Sequence, residues 1–307
     1  MTEMPHVSAD APPSRRQRRS ERATSETDKS QPKGGRNLWA ATAVGAAMLL
    51  VVGGSLFLYL PLFGVVVAAL IVVSLIEFRH AIRDTGRHMA MPLIIVGGVG
   101  IFICAWKIGL EAMLTATLLT VAAALLWHLI GAYEGKDVLR NVAFSAFAVG
   151  YIPFLASFVA LLAVECGPEA VAVFILSVTL GSDTGGYFMG RFLGRHHMAP
   201  TISPHKTWEG LFGSILGATL LCVAGTFWLQ IPWYYGIILG VMLALTGTVG
   251  DLSESMLKRD LGIKDMGHLL PGHGGFLDRL DSLLMGAPVA YVILKYALWI
   301  SQPPVFS

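Results

Sequence analysis

The sequence predicts an all-α, polytopic integral membrane protein with about nine transmembrane helices. The chain of 307 residues is 54% hydrophobic and only 14% charged, whereas an average soluble domain has about 25% charged residues. Its apolar residues also occur in long uncharged runs, and the first run, 38–76, has no charged residue. Because one spanning helix needs about 20 apolar residues, this run predicts two helices joined by a tight turn between Gly53 and Pro61.

The remaining apolar segments predict seven further spans. Residues 89–131 contain only Lys107, Glu111 and His128 as charged or titratable interruptions, which indicates two helices with a short turn. The other five expected spans are 141–164, 169–181 with its continuation, 210–229, 233–250 and 283–300. Glycine-rich patches in the third and sixth spans suit close helix packing in lipid. These glycines are Gly97, Gly98, Gly100, Gly181, Gly185, Gly186 and Gly190.

Residues 1–36 differ from the rest of the chain, because they are rich in Pro, Ser, Arg and acidic residues and show no apolar period. Such a segment cannot bury enough apolar surface to offset its ordering entropy. We therefore expect a disordered basic tail, followed by a multi-span membrane domain over residues 37–307. The RRQRR run in the tail suits either contact with anionic lipid headgroups or a simple role in fixing orientation.

The distribution of Lys and Arg predicts the orientation in the membrane. With the tail in the cytoplasm and nine spans, 20 of the 22 basic residues fall on the cytoplasmic side, as the positive-inside rule requires. Both polar segments that carry motifs, 181–210 and 250–281, then face the cytoplasm, where nucleotides are. We expect an integral protein of the cell membrane, with its catalytic part at about 181–285 and no nucleic-acid partner.

Carboxylates lie beside a glycine-rich turn in the segment from Gly250 to Asp281. Asp251 lies where an apolar span ends, and Asp278 and Asp281 follow at i, i+3 in the expected first turn of the last helix. A carboxylate at the membrane boundary needs a cation or a basic partner, so Asp251 either binds metal or forms an ion pair that closes the loop. Hard cations prefer oxygen donors from separate elements, with phosphates completing the shell. These three residues are therefore the candidate metal ligands.

The same segment offers groups that suit phosphate. The turn glycines Gly274 and Gly275 free the backbone to present N–H groups to phosphate oxygens, and Arg279 can offer a bidentate fork. His273 is expected to contact phosphate, because no second histidine stands at a metal-binding spacing. The other candidates for substrate binding here are Ser255, Arg259 and Lys264, and the candidate catalytic residues are Asp251, Asp278, Lys258 and Arg279.

The segment from Gly181 to Gly210 is expected to complete the site. Asp183 lies inside an apolar span, which makes it a functional candidate by default. A polar cluster precedes the seventh span, and its Lys206 suits a phosphate; the cluster is Ser203, Lys206, Thr207 and Glu209. Glu209 has an alternative role as the negative charge favoured at a helix N-terminus. We expect His196 and His197 at the surface, and His128 and Tyr151 in packing.

At these residues the sequence resembles the phosphatidate cytidylyltransferase (CDP-diacylglycerol synthase) family. The family signature S-x-x-K-R-x4-K-D-x-G-x2-L-P-x-H-G-G-x-x-D-R-x-D is met throughout from Ser255 to Asp281. Residues 250–255 resemble the family's GDLxES, and residues 183–187 resemble its DTxAY-like segment. Residues 203–210 resemble its SPKKTxEG, with His205 where Lys is usual. The resemblance covers the C-terminal half closely.

The resemblance implies a Mg²⁺-dependent enzyme that joins CTP to phosphatidate, forms CDP-diacylglycerol and releases pyrophosphate, with Asp251 and Asp278 matching the metal-binding acids. One or two cations held there would stabilise the attacking and leaving oxygens of an in-line displacement. The resemblance is also compatible with a homodimer. The alternatives are a related CTP-using membrane enzyme with another lipid acceptor, such as a CDP-archaeol synthase or a polyprenol kinase, or a transporter.

Overall fold

The computed structural model describes residues 38–83, 88–131, 138–263, 265–267 and 274–301. The tail expected over residues 1–36 lies outside the described residues. The helices are α1 (Leu38–Leu58), α2 (Leu60–Arg83), α3 (Met91–Lys107), α4 (Leu110–Ile130), α5 (Val138–Cys166), α6 (Pro168–Leu193), α7 (Trp208–Leu229), α8 (Trp233–Asp260) and α9 (Leu277–Ser301). Two short strands, β1 (His197–Ala199) and β2 (Ser203–Thr207), lie between α6 and α7.

Seven of the described helices, α2 and α4–α9, are long and apolar enough to cross a membrane. Ala47–Leu58 within α1 and the whole of α3 are apolar but shorter. The prediction of a helical membrane protein is thus confirmed. Of the nine or so spans that were expected, seven are long and apolar enough among the described residues. The predicted break in the first uncharged run is also confirmed, because α1 and α2 are separated at Tyr59.

The expectation of an all-α chain with simple loops needs three corrections. First, α6 continues to Leu193, so helix occupies the first part of the polar segment 181–210, and Asp183 lies on a helix as expected. Second, β1 and β2 pair as an antiparallel hairpin, which gives this polar segment backbone hydrogen bonds that a bare loop would lack. Third, α8 extends to Asp260 and α9 begins at Leu277, so helix occupies both ends of the predicted 250–281 loop.

The packing order of the helices brings two groups together. α1–α5 pack mainly against their sequence neighbours, and α6–α9 do the same, with α7 packed against both α6 and α8. α9 joins the groups, since it packs against α8 on one side and α5 on the other. A polar contact holds the C-terminal part of α9: Lys295 Nζ lies 2.6 Å from Glu165 Oε2 of α5, and the Tyr291 hydroxyl donates to the same oxygen at 2.8 Å.

Close approach of α6 and α7 depends on glycines that face each other. A Cβ at Gly185 would overlap the Gly213 carbonyl oxygen, and a Cβ at Gly181 would lie 2.8 Å from the Gly217 carbonyl oxygen. Small residues of this kind let helix backbones pack tightly in lipid. The prediction of glycine-mediated packing is confirmed for the sixth span and for Gly97, which packs against Thr120. It is wrong for Gly100, where a Cβ would meet no atom within 4 Å.

Helices α5 and α6 are locally widened by π-helical turns. They lie at Gly150–Phe154 and Leu162–Cys166 in α5 and at Ser177–Ser182 in α6, between α-helical stretches at Val138–Val149, Leu155–Leu161, Pro168–Leu176 and Asp183–Leu193. Such turns occur frequently at functional sites. The turn in α6 ends directly before Asp183, so it sets the direction of that side chain.

We expect Gly185→Ala to destabilise the fold, because the added methyl group would push α6 away from α7 at the Gly213 carbonyl. Overpacking of this kind costs about 1–3 kcal/mol, which corresponds to a fall in Tm of several degrees, roughly 2–4 °C per kcal/mol. Thermal unfolding in detergent would measure it. Gly100→Ala is the matched control, since it adds the same methyl group in open space. Equal Tm values for the two variants would contradict this account of the packing.

Candidate active site

A polar cavity of about 410 Å³ lies between the first turns of α9 and the part of α8 around Asp251. Side chains from α6, the β-hairpin, α7, α8 and α9 line it. Seven residues predicted from the sequence are among them: Asp183, Lys206, Thr207, Asp251, Asp278, Arg279 and Asp281. The tertiary structure therefore brings together the two polar segments that the sequence analysis expected to form one site.

Carboxylates from α8 and α9 meet in the wall of this cavity. A Cβ at Gly250 would lie 2.6 Å from the Asp281 carbonyl oxygen, so only glycine lets the two helices approach this closely. As a result, the carboxyl groups of Asp251 and Asp281 lie close to each other. Glu254, one turn further along α8, lies near both Asp278 and Asp281, and its side chain is only 1% exposed. We call these four residues the acid cluster.

Two lysines supply positive charge to the acid cluster. Lys206 Nζ of β2 lies 2.5 Å from Asp251 Oδ2. Lys258 Nζ lies 3.0 Å from Asp278 Oδ1 and 3.4 Å from Glu254 Oε2. Removing one member of such a partly buried pair leaves an uncompensated charge, which is strongly unfavourable. The ion pair considered as an alternative for Asp251 is thus present, and it ties the hairpin to α8.

Asp278 also organises the turn that leads into α9. Its carboxylate accepts from the backbone N–H of Gly275 at 2.8 Å and from that of Met266 at 3.1 Å. Gly274 has φ 80°, a left-handed conformation that favours glycine. A carboxylate at a helix N-terminus is stabilised by the free N–H groups and the helix dipole. Asp278 therefore joins the glycine turn, α9 and Lys258 at one point.

The hairpin presents Lys206 and Thr207 to the cavity while its other polar groups serve local structure. Thr207 caps α7, because its Oγ1 accepts from the Gly210 N–H at 3.1 Å. Glu209 accepts from the backbone N–H groups of Arg195 and His196, each at 3.2 Å, and its Oε1 lies 2.6 Å from His196 Nδ1. Glu209 does not line the cavity. Its contacts therefore favour a structural role near the start of α7 over a role in substrate binding.

Other predicted residues lie outside the cavity lining. The Arg259 side chain is directed to the hairpin, where its Nε is 3.5 Å from the Ile202 carbonyl oxygen. Ser203, Ser255, Gly274 and Gly275 are near the site but do not line the cavity. Lys264 and His273 lie outside the described residues, so their predicted phosphate contacts stay predictions. The sequence analysis did not identify Glu254 as a site residue. Its position one helical turn after Asp251 could have indicated that both side chains lie on the same face of the helix.

The donor set suits a hard divalent cation, although the described residues contain no group of three or more His, Cys, Asp or Glu side chains arranged to hold a metal ion by themselves. Asp251 and Asp281 offer carboxylate oxygens from two helices, and their mutual contact brings like charges together unless a cation or proton lies between them. Both oxygens of Asp278 already accept hydrogen bonds. A cation here would need further oxygen ligands.

A second, apolar cavity of about 420 Å³ adjoins the polar one. It lies between α1, α2, α5, α6 and α9, and its lining includes Leu56, Ile71, Ala156 and Phe174. Thr179, Asp183, Arg279 and Leu283 line both cavities. Together the two cavities provide a polar space with four carboxylates and two cationic side chains and an apolar space that meets it at Arg279.

The fold and site define a helical membrane protein with a pocket lined by four carboxylates and two cationic side chains. The chain belongs to the cytidylyltransferase family, whose family model matches residues 39–297. It is 36% identical over 290 residues to a phosphatidate cytidylyltransferase of Mycobacterium leprae (strain TN), covering 89% of this chain and 92% of that protein. A phosphatidate cytidylyltransferase of Mycobacterium bovis (strain ATCC BAA-935 / AF2122/97) is 35% identical over 275 residues, covering 85% and 90%.

Another relative matches over a shorter stretch. A phosphatidate cytidylyltransferase of Bacillus subtilis (strain 168) is 44% identical over 119 residues, which cover 38% of this chain and 44% of that protein. The protein is therefore a nucleotidyltransferase of the membrane.

We expect Lys206→Gln to lower cytidylyltransferase kcat/KM by about 100-fold or more, because removing one preorganised charge from such a site commonly has an effect of 10²–10³. Glu209→Gln, three residues away and outside the cavity, should stay within about threefold of wild type, since it changes only hairpin contacts. Steady-state kinetics on the purified variants would measure both. Equal losses in the two variants would contradict the assignment of Lys206 to the pocket.

Proposed function

We propose that the protein transfers the cytidylyl group of CTP to phosphatidate, forming CDP-diacylglycerol and releasing pyrophosphate. The observation that carries this proposal is the meeting of a polar cavity with an apolar one at Asp183 and Arg279. A nucleotide and a lipid must both reach the same reacting atoms, and this arrangement gives each a suitable environment. The names of the relatives support the same reaction.

The reaction needs charge stabilisation more than acid–base chemistry. A phosphate oxygen of phosphatidate attacks the α-phosphorus of CTP and forms a new P–O bond, while the bond from that phosphorus to the oxygen bridging to the β-phosphorus breaks. The electron pair of the broken bond leaves with pyrophosphate. Because the attacking phosphate and the triphosphate are both anions, Lys206, Lys258 and Arg279 would neutralise them and hold the charge that develops on the leaving group.

Asp251, Asp278 and Asp281 would hold Mg²⁺, with phosphate oxygens as its remaining ligands. When bound, the ion would supply positive charge to the phosphates. The proximity of Asp251 and Asp281 supports this assignment, since a cation between them would relieve their repulsion. Lys206 and Lys258 offset part of the negative charge of the four carboxylates.

One acyl chain of the lipid would occupy the apolar cavity. The apolar cavity of about 420 Å³ has almost entirely apolar walls, which suit the hydrocarbon of a fatty acyl chain. Arg279 lies at the junction of the two cavities, where its guanidinium could bind the lipid phosphate while the chain extends toward α1 and α2.

We also propose that α1 and α3 cross the membrane with the seven longer helices, which gives the nine spans expected from the sequence. The pocket end of the bundle would then face the cytoplasm, with 20 of the 22 basic residues on that side. This orientation exposes the polar cavity to cytoplasmic CTP, and it places the protein in the cell membrane.

We expect Asp278→Asn to abolish Mg²⁺- and CTP-dependent labelling of phosphatidate, because the change removes one charge from the acid cluster and weakens the contact with Lys258. Asp260→Asn, an exposed carboxylate on α8, should retain activity and serves as the matched control. The assay would use purified protein, labelled CTP and a panel of lipid acceptors, with membrane insertion checked for each variant.

The same assay separates the alternatives. Labelling of an archaeal-type or polyprenol lipid in place of phosphatidate would identify another acceptor, and label entering no lipid would favour a transporter. Turnover by Asp278→Asn at the wild-type level would contradict the role given to the acid cluster.

We expect Gly53→Leu to reduce activity on long-chain phosphatidate by at least fivefold relative to activity on dihexanoyl phosphatidate. Gly53 lines the apolar cavity, and a Cβ there would meet no atom within 4 Å, so the new side chain should fill space that an acyl chain needs. The matched control is Gly54→Leu, which has equal room for a Cβ but does not line the cavity. An unchanged ratio of long-chain to short-chain activity in Gly53→Leu would contradict the acyl-chain assignment.

A further inference from the structure

Glu77, near the end of α2, is a buried acid that neither the sequence motifs nor the proposed chemistry includes. It is 3% exposed, and it follows directly after the uncharged run 38–76. Its Oε2 accepts from the backbone N–H of Leu277 at 3.0 Å, 200 residues along the chain. Leu277 is the first residue of α9, so Glu77 binds the start of the helix that carries Asp278, Arg279 and Asp281.

The glycines around the start of α9 are packed directly onto this carboxylate. A Cβ at Gly267 would lie 2.6 Å from Glu77 Oε1, and a Cβ at Gly275 would lie 2.7 Å from Glu77 Oε2. Gly275 in turn donates its N–H to Asp278. The Glu77 carboxylate thus lies between the segment 265–267 and the start of α9, and both segments contact Asp278 through backbone N–H groups.

Stability alone is a poor explanation for this acid. Its Oε1 is buried and has no hydrogen-bond partner among the residues that the structure describes, and an unsatisfied buried polar atom is unfavourable. An apolar side chain of similar size would not bury an unpaired oxygen. A negative charge at a helix N-terminus is favourable, but an exposed residue could supply it. A buried carboxylate, by contrast, fixes the position of the first turn of α9 through its hydrogen bond with the Leu277 N–H.

We propose that Glu77 is a positioning residue, which holds the first turn of α9 so that Asp278, Arg279 and Asp281 keep their places opposite Asp251 and Lys258. The proposal rests on the proposed function of this site. Small displacements of reacting groups can lower turnover by about 10²-fold, so a residue outside the cavity can affect kcat through this contact.

Glu77→Ala and Glu77→Gln test the proposal together. Alanine removes the acceptor for the Leu277 N–H, whereas glutamine keeps the length of the side chain and an acceptor oxygen. We expect Glu77→Ala to lower kcat at least tenfold while the KM for CTP changes less than threefold, and Glu77→Gln to recover most of that loss. In hydrogen exchange measured by mass spectrometry, amides of residues 275–281 should exchange at least tenfold faster in Glu77→Ala, and those of residues 251–258 should not.

Glu165→Ala is the matched control, because Glu165 is also an acid that binds α9 from another helix. Its partner Tyr291 lies about 21 Å along α9 from Leu277, at 1.5 Å per residue. This variant should lower Tm without changing kcat.

Wild-type kcat in Glu77→Ala, or a kcat in Glu77→Gln as low as that of alanine, would overturn the proposal. If the alanine variant does not fold, Glu77→Gln alone decides. The proposal would then be overturned if Glu77→Gln loses kcat tenfold while its amides at residues 275–281 exchange at the wild-type rate. An inactive wild-type protein would contradict the proposed function instead, and the exchange measurement would still decide whether Glu77 holds α9.

Discussion

The acid cluster between α8 and α9 is the constraint on which the rest of the site depends. Asp251, Glu254, Asp278 and Asp281 are packed at the end of an apolar bundle, where like charges repel strongly and desolvation is unfavourable. Several elements supply compensation: the hairpin brings Lys206, α8 carries Lys258 on its next turn, and the glycine turn directs backbone N–H groups to Asp278. Such a cluster is well suited to ligands that bring a cation and phosphates together.

Glycine makes this concentration of charge geometrically possible. Gly250 allows α8 to meet α9 at the Asp281 backbone, and the facing glycines of α6 and α7 bring Asp183 to the opposite side of the cavity. The same close packing leaves the wider space among α1, α2, α5, α6 and α9 as an apolar cavity. Polar and apolar substrates can therefore meet at one wall, which is the geometric requirement for moving a nucleotide onto a lipid.

Particular residues show how far the sequence could lead. Asp251, Asp278, Arg279 and Lys206 were predicted as one site from intramembrane charge, glycine-rich turns and motif spacing, and all four line the cavity. Arg259 belongs to the same signature but turns toward Ile202, because residues 258 and 259 point about 100° apart on a helix. Glu77 was not identified from the sequence, since nothing local indicates a partner 200 residues away.

The sequence by itself determined the membrane class, the helix positions and the chemical type of the site. These follow from uncharged run length, from the absence of water to satisfy backbone groups in lipid, and from the clustering of acids, bases and glycines. Only the tertiary structure decided that a β-hairpin delivers Lys206, that Glu254 closes the acid cluster, that Glu77 binds the first turn of α9 and that an apolar cavity adjoins the polar one. Each of these depends on contacts between distant segments, and their geometry is set by helix packing and not by local pattern.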